Sequence, residues 1–537
     1  MNRIREAIEL VQTEENFGQK LTIAALSTRT RLTPDTIAKV LDGEQGVDRR
    51  TLDSFFRTFN LELNESDYCQ ADLKQAENPK NTISPSQIQI NWGEAPDVSV
   101  FYGRTKELQI LKQWMLCDRC RLVTVLGMGG SGKSSLVAKL IHQIVQPGEL
   151  QSATAAFEYV VWRSLRHAPT PEETLTDLIH FLSNQQDTDL PKFLNQLIAQ
   201  LIQYLTQTPC LLVLDHLETI LQPGEPTGAY RQEFAGYGEL IQRMGELSHK
   251  SCLIVISRER SKEMGLLEGK AYPVRPLLLK GLTQQDGLQI LQAEGIDPTE
   301  AEAQILVEHY AGNPLALKSA ATTTHLLFSG KIDRFLAQGT VAFGSIYDLL
   351  DQQFERLSQL EKTVLYWLAI HRKPVSLPEL IDVIVPPVSS QKLLGILENL
   401  RWRSLIECSP SGFTLQNVVM EYVTSCFVEQ IKDELYYGIL SLLNNHALVQ
   451  ATATDDIRET QTRLILRPLA EQPIATEEYW ATLLQACRNK PHLASGYAPS
   501  NLLNLLYHRN QDLSRYAQGV TARSEGKRGN RQRRPTS

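Results

Sequence analysis

The sequence predicts a multidomain α/β protein: a parallel sheet with helices on both faces, preceded by a small all-α domain and followed by helical and winged-helix domains. Three observations predict it. Apolar strand-like runs at residues 122–126, 158–165, 210–215 and 252–257 are separated by helical lengths, which is how parallel strands with crossover helices read. The first of these runs opens directly into a glycine-rich loop and then a helical pattern. The chain has 537 residues, too many for one hydrophobic core.

Composition limits the function classes. Hydrophobic residues make up 42% and charged residues 21%, as in ordinary globular domains. The formal net charge of -7 gives no overall attraction to nucleic acid or to an anionic membrane, so such binding would have to be local. The start, MNRIREAIEL, mixes charges through its apolar residues, and no uncharged apolar run is long enough to span a bilayer. A cytoplasmic protein is expected, without membrane partners. Of the eight cysteines only Cys117 and Cys120 are paired in sequence, and without a second ligand pair nearby they read as reduced structural thiols.

Residues 1–70 are expected to be helical. Ile4, Ile8 and Val11 form an amphipathic start, and Thr33-Pro34-Asp35 is a strong helix beginning, with a threonine cap, proline at the first position and an acid in the first turn. The pattern resembles the helix-turn-helix of phage-repressor-like domains. Residues 71–98, polar and rich in Pro, Asn and Ser, read as a linker. The α/β domain is assigned to 99–278, a helical domain to 279–350, and a winged helix to 351–427, where helices precede two extended runs around Ser409-Pro410-Ser411-Gly412. A further helical domain spans 428–512, and the basic, apolar-poor residues 513–537 read as a disordered tail.

The chemistry concentrates in GMGGSGKSS. Gly127, Gly132, Lys133 and Ser134 fit GxxxxGK[ST], a phosphate-binding loop. Its glycines, Gly127, Gly129, Gly130 and Gly132, let backbone N–H groups approach phosphate oxygens, with Ser131 and Ser135 completing the cradle at a helix N-terminus. Lys133 offers a point charge to the β and γ phosphates, and the Ser134 hydroxyl suits a Mg2+ bridging them. A nucleotide with magnesium is the expected ligand. Asp215 ends a buried strand and is expected to hold Mg2+ through water. Glu218 could polarise an attacking water or merely start a helix, and Arg258, ending the next strand, could reach a γ-phosphate or face solvent. Lys133, Asp215, Glu218 and Arg258 are thus the candidate catalytic set, with Ser134 and Asp215 for the metal.

In order, FYGRTKEL, GMGGSGKS, VVWRSL, LLVLD, VISR and AGNPLAL resemble the motifs of the NB-ARC signal-transduction ATPases, P-loop NTPases of the STAND class, over about residues 98–427. The resemblance implies ADP or ATP as ligand, Tyr102, Gly103 and Arg104 beside adenine and ribose, and Pro314 with Leu315 closing the base pocket. It also implies that Leu415-Gln416-Asn417 stands where that family carries a Met-His-Asp motif. Gln416 would then meet the β-phosphate without a positive charge. His216 replaces a second acid after Asp215, so hydrolysis is expected to be slow at most. Bacterial proteins of this type usually continue into a WD-repeat sensor, and the switch to RSEGKRGNRQRRPTS leads us to expect a form lacking it.

The function the resemblance implies is a nucleotide-dependent switch: ADP keeps the domains closed, and ATP lets them open, self-associate and cluster the N-terminal domain for a protein partner. The alternative is an ATP-dependent transcription regulator reading DNA through the helix-turn-helix. Asp35 in the first turn of the would-be recognition helix, with Asp42, Glu44 and Asp48 beyond, opposes phosphate approach, so a protein partner is preferred to DNA.

Overall fold

The computed structural model describes residues 88–145, 156–187, 190–225, 228–269, 272–337, 345–471, 477–490, 493 and 495–509, together with residues 26, 30, 37, 56 and 58. The chain divides into two compact units, Met1–Ser84 and Pro85–Ser537. In the first, the five described residues are helical, and Leu26, Ile37 and Phe56 are buried. Otherwise the expected helix-turn-helix, like the basic tail from 513, lies outside the described residues.

The second unit is built on a six-stranded sheet, all parallel, in the order β1-β3-β4-β5-β2-β6. The strands are β1 (Gln89–Asn91), β2 (Leu122–Leu126), β3 (Tyr159–Ser164), β4 (Cys210–Asp215), β5 (Cys252–Ser257) and β6 (Val274–Leu278). Every residue of β2, β4 and β5 is buried, because helices cover both faces of the sheet and leave no side of a central strand to water. Burying each Val, Leu or Ile there contributes about 1.5–3 kcal/mol. One face is covered by helices Pro171–Leu182, Leu194–Gln207 and Ala235–Glu246, the other by Thr105–Lys112 and Lys133–Val145. Thr170 and Glu173 form a capping box that starts Pro171–Leu182, with proline at the first helical position.

The two edge strands differ from the sequence reading. Residues 88–92 belong to the stretch read as linker, yet Gln89–Asn91 pairs with β3, and Trp92 stacks on His142 at 4.4 Å between ring centroids. Three residues are too few to show a period, so no pattern announced this strand. β6 was hidden by Pro276, which an edge strand tolerates because its missing N–H can face away from the ladder.

Beyond β6 the chain is helical, and one continuous core runs from Met128 and Leu282 through to Leu506, so the segments read as three domains share their buried residues. Helices Gln284–Ala293, Glu300–His309 and Pro314–Phe328 come first. Helix Ser345–Glu355 then leads into Gln359–His371, Leu377–Val383 and Ser390–Trp402, followed by the antiparallel hairpin β7 (Ile406–Ser409) and β8 (Gly412–Leu415). Val375 pairs with Phe413 through two backbone hydrogen bonds of 2.9 Å, an isolated antiparallel bridge from a third segment to β8. The winged-helix expectation is met in its order of elements, although the helix after the hairpin, Asn417–Tyr437, runs past the boundary set at 427. Among the described residues, no helix is long and apolar enough to cross a membrane.

Candidate functional site

Parallel strands align their carboxyl ends, so the loop after β2 and the ends of β4 and β5 meet at one edge of the sheet. Because β5 lies between β2 and β4, its end at Ser257 and Arg258 stands between the phosphate loop and Asp215. A cavity of about 240 Å³ opens there, bounded by Gly129, Gly132, Ser134, Asp215, Glu218 and Arg258. Gly127, Gly130 and Gly132 all take positive φ, as the loop's path around an anion requires.

Lys133 is buried, and its Nζ donates to the carbonyls of Gly127 at 2.8 Å and Met128 at 2.9 Å. Burial pushes its ammonium down to about 8; Glu218 and Asp215 pull it up, and Arg258 lowers it further. Burial raises the Asp215 carboxyl, offset by neighbouring His216 and by a hydrogen bond with the Ser134 side chain. Ser134 and Asp215 therefore face one another, a hydroxyl and a carboxylate beside the loop. Together with phosphate oxygens and water they suit the all-oxygen, six-coordinate demands of Mg2+, which takes few protein ligands. The residues present fit that ion.

Glu218 and Arg258 engage each other rather than the cavity alone. Glu218 accepts hydrogen bonds from the Ser257 hydroxyl at 3.2 Å and the Arg258 N–H at 3.1 Å, and the Arg258 Nε lies 3.3 Å from its other oxygen. Arg258 also donates to Gln352 Oε1 at 3.1 Å. A methyl built on Gly129 would sit 3.4 Å from the Arg258 guanidinium carbon, so this arginine overhangs the loop.

The helical segment grips the loop from the other side. Asn313 caps helix Pro314–Phe328 by accepting from the N–H groups of Leu315 and Ala316, and its Nδ2 donates to the Gly129 carbonyl at 2.9 Å. The Leu315 N–H lies 3.4 Å from the Gly130 carbonyl. Gly130 has φ +73°, and a methyl there would meet the Leu315 side chain at 2.9 Å, so no other residue fits this approach. Pro314 and Leu315 thus stand directly over the phosphate loop.

Arg104 is also buried and is spent on main-chain carbonyls. It donates to Lys280 at 2.6 Å and to Ser131 at 3.1 Å, and it pairs with Glu107. Burial lowers its pKa, and Glu107 opposes that. It ties the phosphate loop to the strand-to-helix junction after β6. Gly103, at φ +67°, packs so closely on Asp286 that a methyl would lie 2.3 Å from the carboxyl carbon, and Tyr102 packs against the helical core. Gln416 lines a second cavity of about 470 Å³, which it shares with the loop residues Met128 and Ser131 and with Asn313, Lys280 and Arg401.

Sequence reasoning missed Asn313, although Asn-Pro at a helix start is a capping signal, and it missed Gln352, for which no local signal exists. The eight-residue loop was fully legible because its chemistry is contiguous.

A family model described as Novel STAND NTPase 1 matches residues 94–267. The matched residues, about a third of the chain, lie within the segment that resembles the STAND-class P-loop NTPases. The chain is 41% identical over 478 residues to an uncharacterised WD repeat-containing protein of Nostoc sp., a match covering 81% of this chain and 38% of that protein. It is 24% identical over 214 residues to the disease resistance protein RPM1 of Arabidopsis thaliana, covering 37% of this chain and 20% of that one. The chain therefore spans well under half the length of these curated relatives. The Nostoc match also overturns the expectation of a form lacking WD repeats: the protein resembled over most of this chain is itself WD repeat-containing. Among solved structures, the chain is similar to a Walker-type ATPase of Pyrococcus abyssi, with TM-score 0.42, 18% identity, and 60% of this chain and 96% of that one covered. It is also similar to a STAND protein with a tetratricopeptide repeat sensor from Pyrococcus horikoshii, with TM-score 0.31, 16% identity, and coverage of 78% and 60%. The P-loop NTPase fold rests on the strand order and loop described above.

Proposed function

We propose that the chain is the nucleotide-operated part of a signalling switch that holds ADP or ATP with Mg2+. The observation that carries this is the Asn313 bridge: one side chain caps a helix of the helical segment and holds the Gly129 carbonyl of the phosphate loop. Any ligand that reshapes the loop must act on that segment. Arg104 makes a second tie of the same kind, from the Ser131 carbonyl to the junction after β6.

In this reading the loop N–H groups and Lys133 receive the phosphates, and Lys133 exchanges its two loop carbonyls for phosphate oxygens. Ser134 and Asp215 would hold Mg2+, which supplies charge neutralisation to the β and γ phosphates. Glu218 is committed to Ser257 and Arg258, so orienting a water would cost it those bonds, and turnover is slow. ATP differs from ADP by a phosphate that Arg258 can reach; only such differential contact can shift an equilibrium between closed and open forms.

The open form is read as self-associating and presenting residues 1–70 to a protein partner. The acids beside the would-be recognition helix favour that over DNA. The test is the nucleotide carried by the purified protein, released by denaturation and identified by chromatography, with Lys133→Ala as control. Near-stoichiometric ADP that is absent from the variant supports a resting switch. A site that neither carries nor binds ADP or ATP would sink the reading.

A further inference from the structure

Immediately after β5, three consecutive residues turn away from the nucleotide-binding sheet, and each engages the segment 345–403 that leads into and forms the winged helix. Arg258 donates to Gln352 at 3.1 Å. Glu259 accepts from the Arg356 Nε and, at 3.2 Å, from the Arg403 Nη2. Arg260 pairs with Glu398 at 3.0 Å and lies 4.6 Å from the Trp402 ring centroid. Glu259 and Arg403 are 4% and 5% exposed, so their charges meet almost without water. Fully buried Glu361 lies 4.0 Å from the Arg403 Nε, which brings two glutamates and two arginines into one cluster.

We infer that the Glu259–Arg356–Arg403 cluster is the latch that holds the winged helix closed on the nucleotide-binding sheet. The inference rests on the switch reading only for what releases it. Taking these charges out of water is costly, and their mutual attraction offsets that cost only when all partners are in register. Apart, both halves are hydrated and neither is stranded. The contact therefore favours two discrete arrangements, docked or undocked, over a gradual slide. It is also wired to the phosphate cavity. Arg356 donates to the main-chain carbonyls of Glu218 at 2.6 Å and Leu221 at 3.2 Å, and the Gly224 N–H donates back to the Arg356 carbonyl at 2.9 Å. The Glu218 side chain meanwhile holds Arg258, the residue preceding Glu259. A phosphate that draws Arg258 away from Glu218 and Gln352 pulls on the same short stretch that carries Glu259.

The experiment is hydrogen exchange on the full chain, stripped of nucleotide, comparing the parent with Glu259→Gln. That variant keeps the side-chain shape and leaves two arginines without their carboxylate. Exchange in 345–361 and 390–403 should accelerate roughly tenfold or more, while helix 133–145 stays as in the parent. Unchanged exchange in both segments overturns the latch. If Glu259→Gln does not fold, Glu259→Gln with Arg356→Met removes the arginine left without a carboxylate, while Arg403 keeps Glu361 at 4.0 Å, and is read by the same criterion. Adding ADP or ATP to the parent tests the switch separately. A parent that ignores nucleotide while Glu259→Gln still opens removes the switch and leaves the latch. A parent that responds while the variant does not open removes the latch and leaves the switch.

Discussion

Replacing Asn313 by alanine tests the tie between the phosphate loop and the helical segment. The substitution deletes a helix cap that accepts from Leu315 and Ala316 at 3.1 and 3.2 Å, worth about 1 kcal/mol. It also strands the Gly129 carbonyl, whose bond to Asn313 is buried, at about 1–2 kcal/mol. The sum is a loss of about 2–3 kcal/mol, some thirtyfold or more in an equilibrium constant. Urea unfolding followed by circular dichroism measures the total, and calorimetric titration with ADP measures the share felt by the loop. Asn313→Asp separates the two effects. A carboxylate still caps the helix but cannot donate to Gly129, and it places negative charge where phosphates arrive. That variant should lose less stability than alanine and more ADP affinity. If Asn313→Ala changes stability by less than about 0.5 kcal/mol and leaves ADP affinity untouched, the bridge does not couple the segment to the loop.

Further expectations follow from other buried contacts. The Lys133 ammonium sits at about 8 against an ordinary 10.5, so between those values the unfolded chain holds more protons than the folded one, and stability should rise with pH across that window. Phosphates favour the charged form, so ADP affinity should fall as pH rises through about 8, with proton uptake on binding visible as a buffer-dependent heat; constant affinity from about pH 7 to 9 would contradict this. Arg104→Lys cannot reach the Lys280 and Ser131 carbonyls together, and should cost about 2–3 kcal/mol in urea unfolding; a neutral result would mean that these carbonyls find water. Gly103→Ala combines a strained φ of +67° with a clash on Asp286, and should lose roughly 1–3 kcal/mol. Adding Asp286→Ala should restore only part of that, and full recovery would show that φ strain contributes nothing.

Much of the site was readable because its parts are local. The phosphate loop, the apolar strands ending at Asp215 and at Ser257, and the proline-started helices each occupy a few consecutive residues whose type dictates backbone shape. Where signals were short or masked, reading failed: β1 has three residues, and β6 carries Pro276. The roles of Glu218 and Arg258 stayed open for a different reason. A carboxylate near a loop is compatible with water activation, helix initiation or pairing, and only the 3.3 Å approach of the Arg258 Nε selects pairing in this arrangement.

The sequence by itself determined the four inner strands of the sheet, its phosphate loop and the order of helical and winged segments, because strand and helix periods and glycine placement act over a handful of residues. Tertiary structure alone decided what those parts grip. Asn313 reaches Gly129 across 184 positions, Glu259 meets Arg403 across 144, and Arg258 meets Gln352 across 94. No local pattern encodes such pairs. Each depends on how separately readable segments dock, and burial then turns a charge that water would have satisfied anywhere into one that only a specific partner can satisfy.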